Sequence, residues 1–134
     1  MTEKADIYKV AGLLIKKGKL LVVRNYNQKL FFSLGGKIEI VETDLDCLYR
    51  EVWEEIGCRV VNATFYKKFF GLNYNGTKTV EMPTFLIEVD REPSHCNEVV
   101  ELGWTGAEEE EAVPVASMLA QHILPALKTD KLIS

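Results

Sequence analysis

The segment TDLDCLYREVWEEIGC, Thr43 to Cys58, constrains the fold of this chain more than any other stretch. At about 100° per residue, Leu45, Leu48, Val52 and Ile56 fall on one side of a helix and form an apolar stripe. Thr43 or Asp44 can cap its start, and Gly57 or its neighbour can end it. Such a stripe must be laid on something, and most of the remaining pattern is strand. YKVAGLLI and LLVVRNY are β-rich runs on either side of Lys16-Lys17-Gly18-Lys19, which predicts a hairpin. FFSL is a third short apolar run, broken by Gly35-Gly36. RVVNATFYKKFFGL and TKTVEMPTFLIEV flank the turn signal Asn73-Tyr74-Asn75-Gly76, and VVELGW predicts a last strand. From about Val115 to Lys128, Met118, Leu119, Ile123, Leu124 and Leu127 recur at helical spacing. Pro125 inside that pattern predicts a kink or an early end. The order of elements predicts a mixed sheet between helices rather than a regular βαβ alternation.

The 134 residues are expected to form one domain, 1–134, with a single sizeable core. A net charge of −4 leaves no basic excess for neutralising a nucleic-acid backbone, so stable nucleic-acid binding is not expected. A small anionic substrate is still compatible, because a bound metal inverts the local field. Cys47, Cys58 and Cys96 form no CxxC pair and are expected to be free thiols in a reducing cytosol. His95 and His122 are too few and too far apart for a His-rich zinc site. MTEKADIY does not read as a secretory signal and no apolar run has the length of a membrane span, which predicts a cytoplasmic protein without membrane contact. The acidic run Glu108 to Glu111 is expected to be a solvated loop or helix start.

On the predicted helix, Glu51, Glu54 and Glu55 gather beside the apolar stripe, because positions three and four apart share a face. Arg50 stands within i,i+4 reach of Glu54. Exposed, such a cluster costs only a few tenths of a kcal/mol per pair, and a solvated face explains it. Lining a cleft, the repulsion rises to roughly 3 to 4 kcal/mol per pair at about 4 to 6 Å. Protonation or a bound cation then relieves it. Hard oxygen ligands suit Mg²⁺ or Mn²⁺. An EF-hand is the obvious rival, but Asp44-Leu45-Asp46 lacks the third acid and the glycine of that loop.

The upstream residues decide between these readings. From Gly36 the sequence runs GKIEIVETDLDCLYREVWEEIGC: Gly, five residues, Glu42, seven residues, Arg50-Glu51, then Glu54-Glu55, Gly57 and Cys58. This resembles the Nudix box, Gx5Ex7REUxEExGU with U a bulky apolar residue, and all seven fixed positions match. At average residue usage a chance match in a chain of this length has a probability on the order of 10⁻⁷. LLVVRNY, FFSLGGKIE and the late NEVVELGW strand extend the likeness over nearly the whole chain. The wording GGKIE is most similar to the branch that hydrolyses nucleoside triphosphates.

The resemblance implies an α/β fold, a Nudix-type α/β/α sandwich with a mixed sheet between helices. It implies hydrolysis of a nucleoside diphosphate linked to another group, by attack of water on phosphorus, with Mg²⁺ as cofactor and Mn²⁺ able to replace it. Nucleoside triphosphates giving a monophosphate and pyrophosphate come first. ADP-ribose, nucleotide sugars and dinucleoside polyphosphates stay open, as do a non-catalytic nucleotide sensor and an isomerase of the isopentenyl-diphosphate type. By the same resemblance Glu51, Glu54 and Glu55 are metal ligands, joined by the Gly35 carbonyl and by Glu98. Arg50 orients Glu51, and Glu42 braces the loop by pairing with Arg50, with Gly36 and Gly57 structural. Glu51 and Glu98 are the candidates for general base, with Glu101 third. Arg24, Lys37 and Glu39 are expected near the substrate, the first two as phosphate contacts. Phe31, Phe32 and Tyr74 either stack on a base or belong to the core. Leu34, Val41 and Cys47 depart from the family's usual proline, glycine and alanine. Dimerisation is common in the family, which leaves a homodimer open.

Overall fold

The computed structural model describes residues 4–108 and 113–134, so most of the Glu108–Glu111 run lies outside the described residues. Among the described residues seven strands form two sheets. Strands β1 (Ile7–Leu13), β4 (Leu34–Lys37), β5 (Val60–Leu72) and β6 (Thr79–Val89) make a mixed sheet in the order β4-β1-β6-β5. Its parallel pair is β1 with β6, and its other pairs are antiparallel. Strands β2 (Ile15–Lys16), β3 (Lys19–Asn25) and β7 (Val99–Thr105) make a smaller antiparallel sheet in the order β2-β3-β7.

The expected hairpin at Lys17-Gly18 is present, but only the two-residue β2 pairs across it. Lys17 and Gly18 both have positive φ, at 52° and 77°, which suits the twist of a tight hairpin. The rest of the first run, β1, belongs to the other sheet. The double glycine does not break the third run. It lies inside β4, where Gly35 and Gly36 stand opposite Ala11 and Val10 of β1.

Helix α1 (Asp44–Ile56) starts at Thr43, whose hydroxyl accepts from the Asp46 N–H while the Asp46 carboxylate accepts from the Thr43 N–H. This reciprocal cap satisfies two otherwise orphaned donors. Gly57, left-handed at φ 66°, ends the helix. Cys47, Leu48, Val52 and Ile56 are buried, whereas Leu45, expected on the stripe, is exposed in the first turn. Near the C-terminus a π-helical turn (Leu119–Ile123) leads into α2 (Leu124–Thr129). Pro125 sits in the first turn of α2, where a missing N–H costs little. The widened turn before it absorbs the break in periodicity.

Alternation along the strands builds two cores. Val10, Leu21 and Val23 pack with Leu48, Val52 and Ile56 of α1, while Ala11, Leu20 and Val22 pack with Leu119, Ile123 and Leu127 on the opposite side. The result is a helix, a strand layer split between two sheets, and a second helix: an α/β/α sandwich. Among the described residues no helix is long and apolar enough to cross a membrane.

Candidate active site

The acidic face of α1 looks onto β4. The Gly35 N–H leaves the strand ladder and donates to Glu55 Oε1 at 2.8 Å. Gly35 has φ 122°, and a Cβ there would stand 1.9 Å from the Val10 carbonyl oxygen, so no other residue fits. A Cβ on Gly36 would stand 2.7 Å from the Glu51 carboxyl carbon, so this glycine is what lets Glu51 lie against the strand.

Arg50 joins four acids. Its Nε and Nη2 donate to the two Glu42 oxygens at 2.7 and 2.9 Å, and its Nη1 donates to Glu51 at 2.6 Å. Glu54 and Glu39 lie farther out, at 3.5 and 3.9 Å. The arginine's hydrogen bond and the Glu39 N–H hold the Glu42 carboxyl at about 2. Glu51 is shifted the other way, because burial outweighs Arg50. Glu55 is the extreme case: burial pushes its carboxyl up to about 8 despite the Gly35 N–H, with Glu51 and Glu54 adding to the rise.

The chain brings a further acid to this face through the segment before β7. The Ser94 and Cys96 N–H groups donate to the carbonyls of Ile56 and Glu55 at 3.1 Å, and the Asn97 amide donates to the Glu54 carbonyl at 2.7 Å. These donors satisfy last-turn carbonyls that a helix leaves without partners. They also seat Glu98 beside α1. Glu51, Glu54, Glu55, Glu98, Asn97 and the Gly35 backbone thus line one cavity of about 470 Å³.

Among the described residues no three His, Cys, Asp or Glu side chains converge into a closed cation cluster. The reason is visible in the partners: Glu51 turns to Arg50 and Glu55 to the Gly35 N–H. The donor set nevertheless fits a hard divalent cation. It is all oxygen, it faces one cavity, and burial disfavours the ionised form of Glu55, a cost that a nearby cation would offset.

A second cavity of about 180 Å³ adjoins the first, sharing Asn25, Gly35 and Glu55. Phe32, Tyr74 and Met82 form its apolar wall, with the two rings edge to face at 6.1 Å. Gln28, Ser33 and Lys9 supply polar groups. Lys9, half-buried on β1, was not marked by any motif. Burial, and then the neighbouring Lys37 ammonium, lower its pKa.

Several residues expected here stand elsewhere. Phe31 is 5% exposed and packs in the core on the α2 side, so the residue of the FF pair that faces the cleft is Phe32. Arg24 does not line either cavity; it donates to Glu101 at 2.9 Å and to the Gln28 carbonyl at 3.0 Å. That pairing also occupies Glu101. Lys37 is exposed at the end of β4, where its carbonyl accepts from Arg50 at 3.4 Å. Val41, in place of glycine, is 97% exposed with φ 72°, a left-handed conformation costly for a β-branched residue by about 1–2 kcal/mol. Leu34 is buried in the α1-side core, as is Cys47, whose thiol donates to the Gly36 carbonyl at 3.5 Å.

The sequence model of the NUDIX domain matches residues 8–127. No curated protein sequence matches the chain. Solved structures with a similar fold include a Nudix family member from Chromobacterium violaceum, with TM-score 0.75 at 15% identity over 92% of this chain and 77% of that one. The E. coli ORF135 protein gives 0.71 at 23% identity over 93% and 92%. A bifunctional NMN adenylyltransferase/ADP ribose pyrophosphatase from Francisella tularensis, complexed with AMP and a Mn ion, gives 0.72 at 16% identity. That match covers 97% of this chain and 43% of the other.

Proposed function

The chain belongs to the Nudix family, which acts on nucleotide-linked diphosphates, and from that premise we propose that it is a metal-dependent pyrophosphohydrolase of nucleoside triphosphates or modified nucleotides. The observation that carries this reading is the convergence of Glu51, Glu54, Glu55 and Glu98 on one cavity that adjoins an aromatic one. The first cavity suits the diphosphate and the second the nucleoside.

Glu51, Glu54 and Glu55, with the Gly35 carbonyl and Glu98, hold Mg²⁺ or Mn²⁺ in this reading. A cation bound there supplies Lewis-acid polarisation of the diphosphate oxygens. Glu98, which is exposed on the cavity rim, or Glu51 takes the proton of the attacking water. The water oxygen bonds to phosphorus, the bridging P–O bond breaks, and pyrophosphate leaves the nucleoside monophosphate. Arg50 fixes Glu51 in place and offsets part of the acidic charge. Tyr74 and Phe32 flank the nucleoside in this reading, while Lys37 and Glu39, which line neither cavity, would reach the phosphates only by moving toward them. Three unpaired thiols suit a reducing cytoplasm.

The test is product release from a panel of nucleotides with Mg²⁺, with Mn²⁺ and with chelator. Monophosphate released only with metal is expected. Glu54→Gln and Glu55→Gln should each lower that turnover by roughly two orders of magnitude or more. Near-wild-type rates in either variant would overturn the metal assignment. Saturable nucleotide binding without turnover would favour a sensor instead.

A further inference from the structure

The aromatic cavity contains one cation among its lining residues, and the motif that defines the reaction does not include it. Lys9 lines this cavity and also the small pocket beneath it, formed with Asn73, Ser117 and Met118. It does not line the acidic cavity. We infer that Lys9 is a specificity-determining residue, whose ammonium donates to the carbonyl at the purine 6- or pyrimidine 4-position of the substrate's base and so selects these oxo bases over adenine and cytosine. The inference deepens the proposed function and rests on its placement of the nucleoside in the aromatic cavity.

Three observations carry it. The Lys9 Nζ stands over the Phe32 ring, 5.8 Å from its centre, so the ammonium and the ring face the same cavity. Among the described residues no hydrogen bond or ion pair reaches it; the Phe32 ring face contacts it, and the Glu55 and Glu51 carboxylates act on it only from farther off. An ammonium has three donors and no acceptor, and a half-buried one without an acceptor is held at a cost that a ligand acceptor removes. Finally, apart from Glu55 at the boundary with the acidic cavity, the other polar side chains of the cavity are ambivalent. The amides of Asn25 and Gln28 and the hydroxyl of Ser33 can donate or accept, so they adapt to any base. Lys9 cannot adapt. Guanine, uracil and thymine present a carbonyl oxygen at the purine 6- or pyrimidine 4-position, where adenine and cytosine present an amine that would set donor against donor.

The decisive comparison is between inosine monophosphate and adenosine monophosphate, which carry the same sugar and phosphate and differ at the purine 6-position. Their dissociation constants are measured by calorimetry on the full chain without metal, for wild type, Lys9→Met and Lys9→Arg. Wild type should bind the inosine compound about tenfold more tightly, in line with one good charged contact to a base. Lys9→Met should bring the two constants within about twofold, and Lys9→Arg, which keeps the donors, should retain the preference. An equal loss on both ligands in Lys9→Met would mean a phosphate contact and would overturn the inference. So would a preference that survives in Lys9→Met, or wild type binding neither compound or both alike. The failure of the proposed reaction is read separately: no monophosphate from inosine or adenosine triphosphate with Mg²⁺ sinks the hydrolysis, while the metal-free constants still decide Lys9.

Discussion

The Arg50 guanidinium donates to Glu42 on one side and to Glu51 on the other, so Glu42 fixes the arginine that in turn fixes Glu51. The carboxyl of Glu42 lies at about 2, below its ordinary 4.5, chiefly through its hydrogen bond with Arg50. A group lowered on folding contributes stability that is complete above its unfolded value and lost as pH falls through its folded one. Wild type should therefore lose the benefit of this pair between about pH 4.5 and 2. Glu42→Gln should melt below wild type at neutral pH and converge with it near pH 2. Melting curves separated by a constant interval down to pH 2 would contradict the pairing. Side chains whose partners are near in sequence were legible at this scale, as Arg50 and its box acids show. Lys9 was not, since its neighbours Phe32 and Tyr74 come from distant parts of the chain. Phe31 and Phe32 were ambiguous because a one-residue choice of face decides which is core, and the bridges of Phe31 to Val115 and Phe32 to Val23 make that choice.

Between elements, the contact that matters is β4 against α1. Gly36 leaves room for the Glu51 carboxylate, and a methyl group there would meet it at 2.7 Å. Gly36→Ala should leave the melting temperature close to wild type and lower kcat/KM by roughly 10²-fold, the usual consequence of moving a reacting group by about 1 Å. Full activity in the folded variant would show that Glu51 tolerates displacement. Helix α1 was legible from sequence because its cap, stripe and terminal glycine all lie within fifteen or so residues. Strand β4 was not, because Gly35-Gly36 reads locally as a breaker and is made a strand by hydrogen bonding to β1. The docking of residues 94–97 on the end of α1 was equally hidden, although NEVVELGW gave the strand that follows. Its donors answer carbonyls forty residues away.

At the scale of the whole molecule, the sandwich follows from strand alternation with a helix on each side, and that much the order of elements predicted. The split into two sheets did not appear in the sequence, since Leu14 interrupts an apolar run without any turn residue to mark it. The mixed sheet also ends on a long strand that has no further neighbour among the described residues. Among the described residues β5 pairs only with β6, and it leaves Val61, Phe65, Phe70 and Leu72 exposed along thirteen residues. Such an edge is a template on which further strands can add. Lys67 and Lys68 interrupt it midway, next to a register shift, and are tied to Asp130 and Glu81 at 3.0 and 3.2 Å. In an antiparallel encounter of two copies these lysines would meet their own like charges. Replacing both by threonine should make light scattering rise with protein concentration at unchanged catalytic rate, whereas a variant that stays dispersed would assign the protection to the bulge alone. A rise would mean that this pair of lysines limits how crowded a solution the protein tolerates, a property unconnected with its chemistry and written in the strand of the mixed sheet farthest from β4.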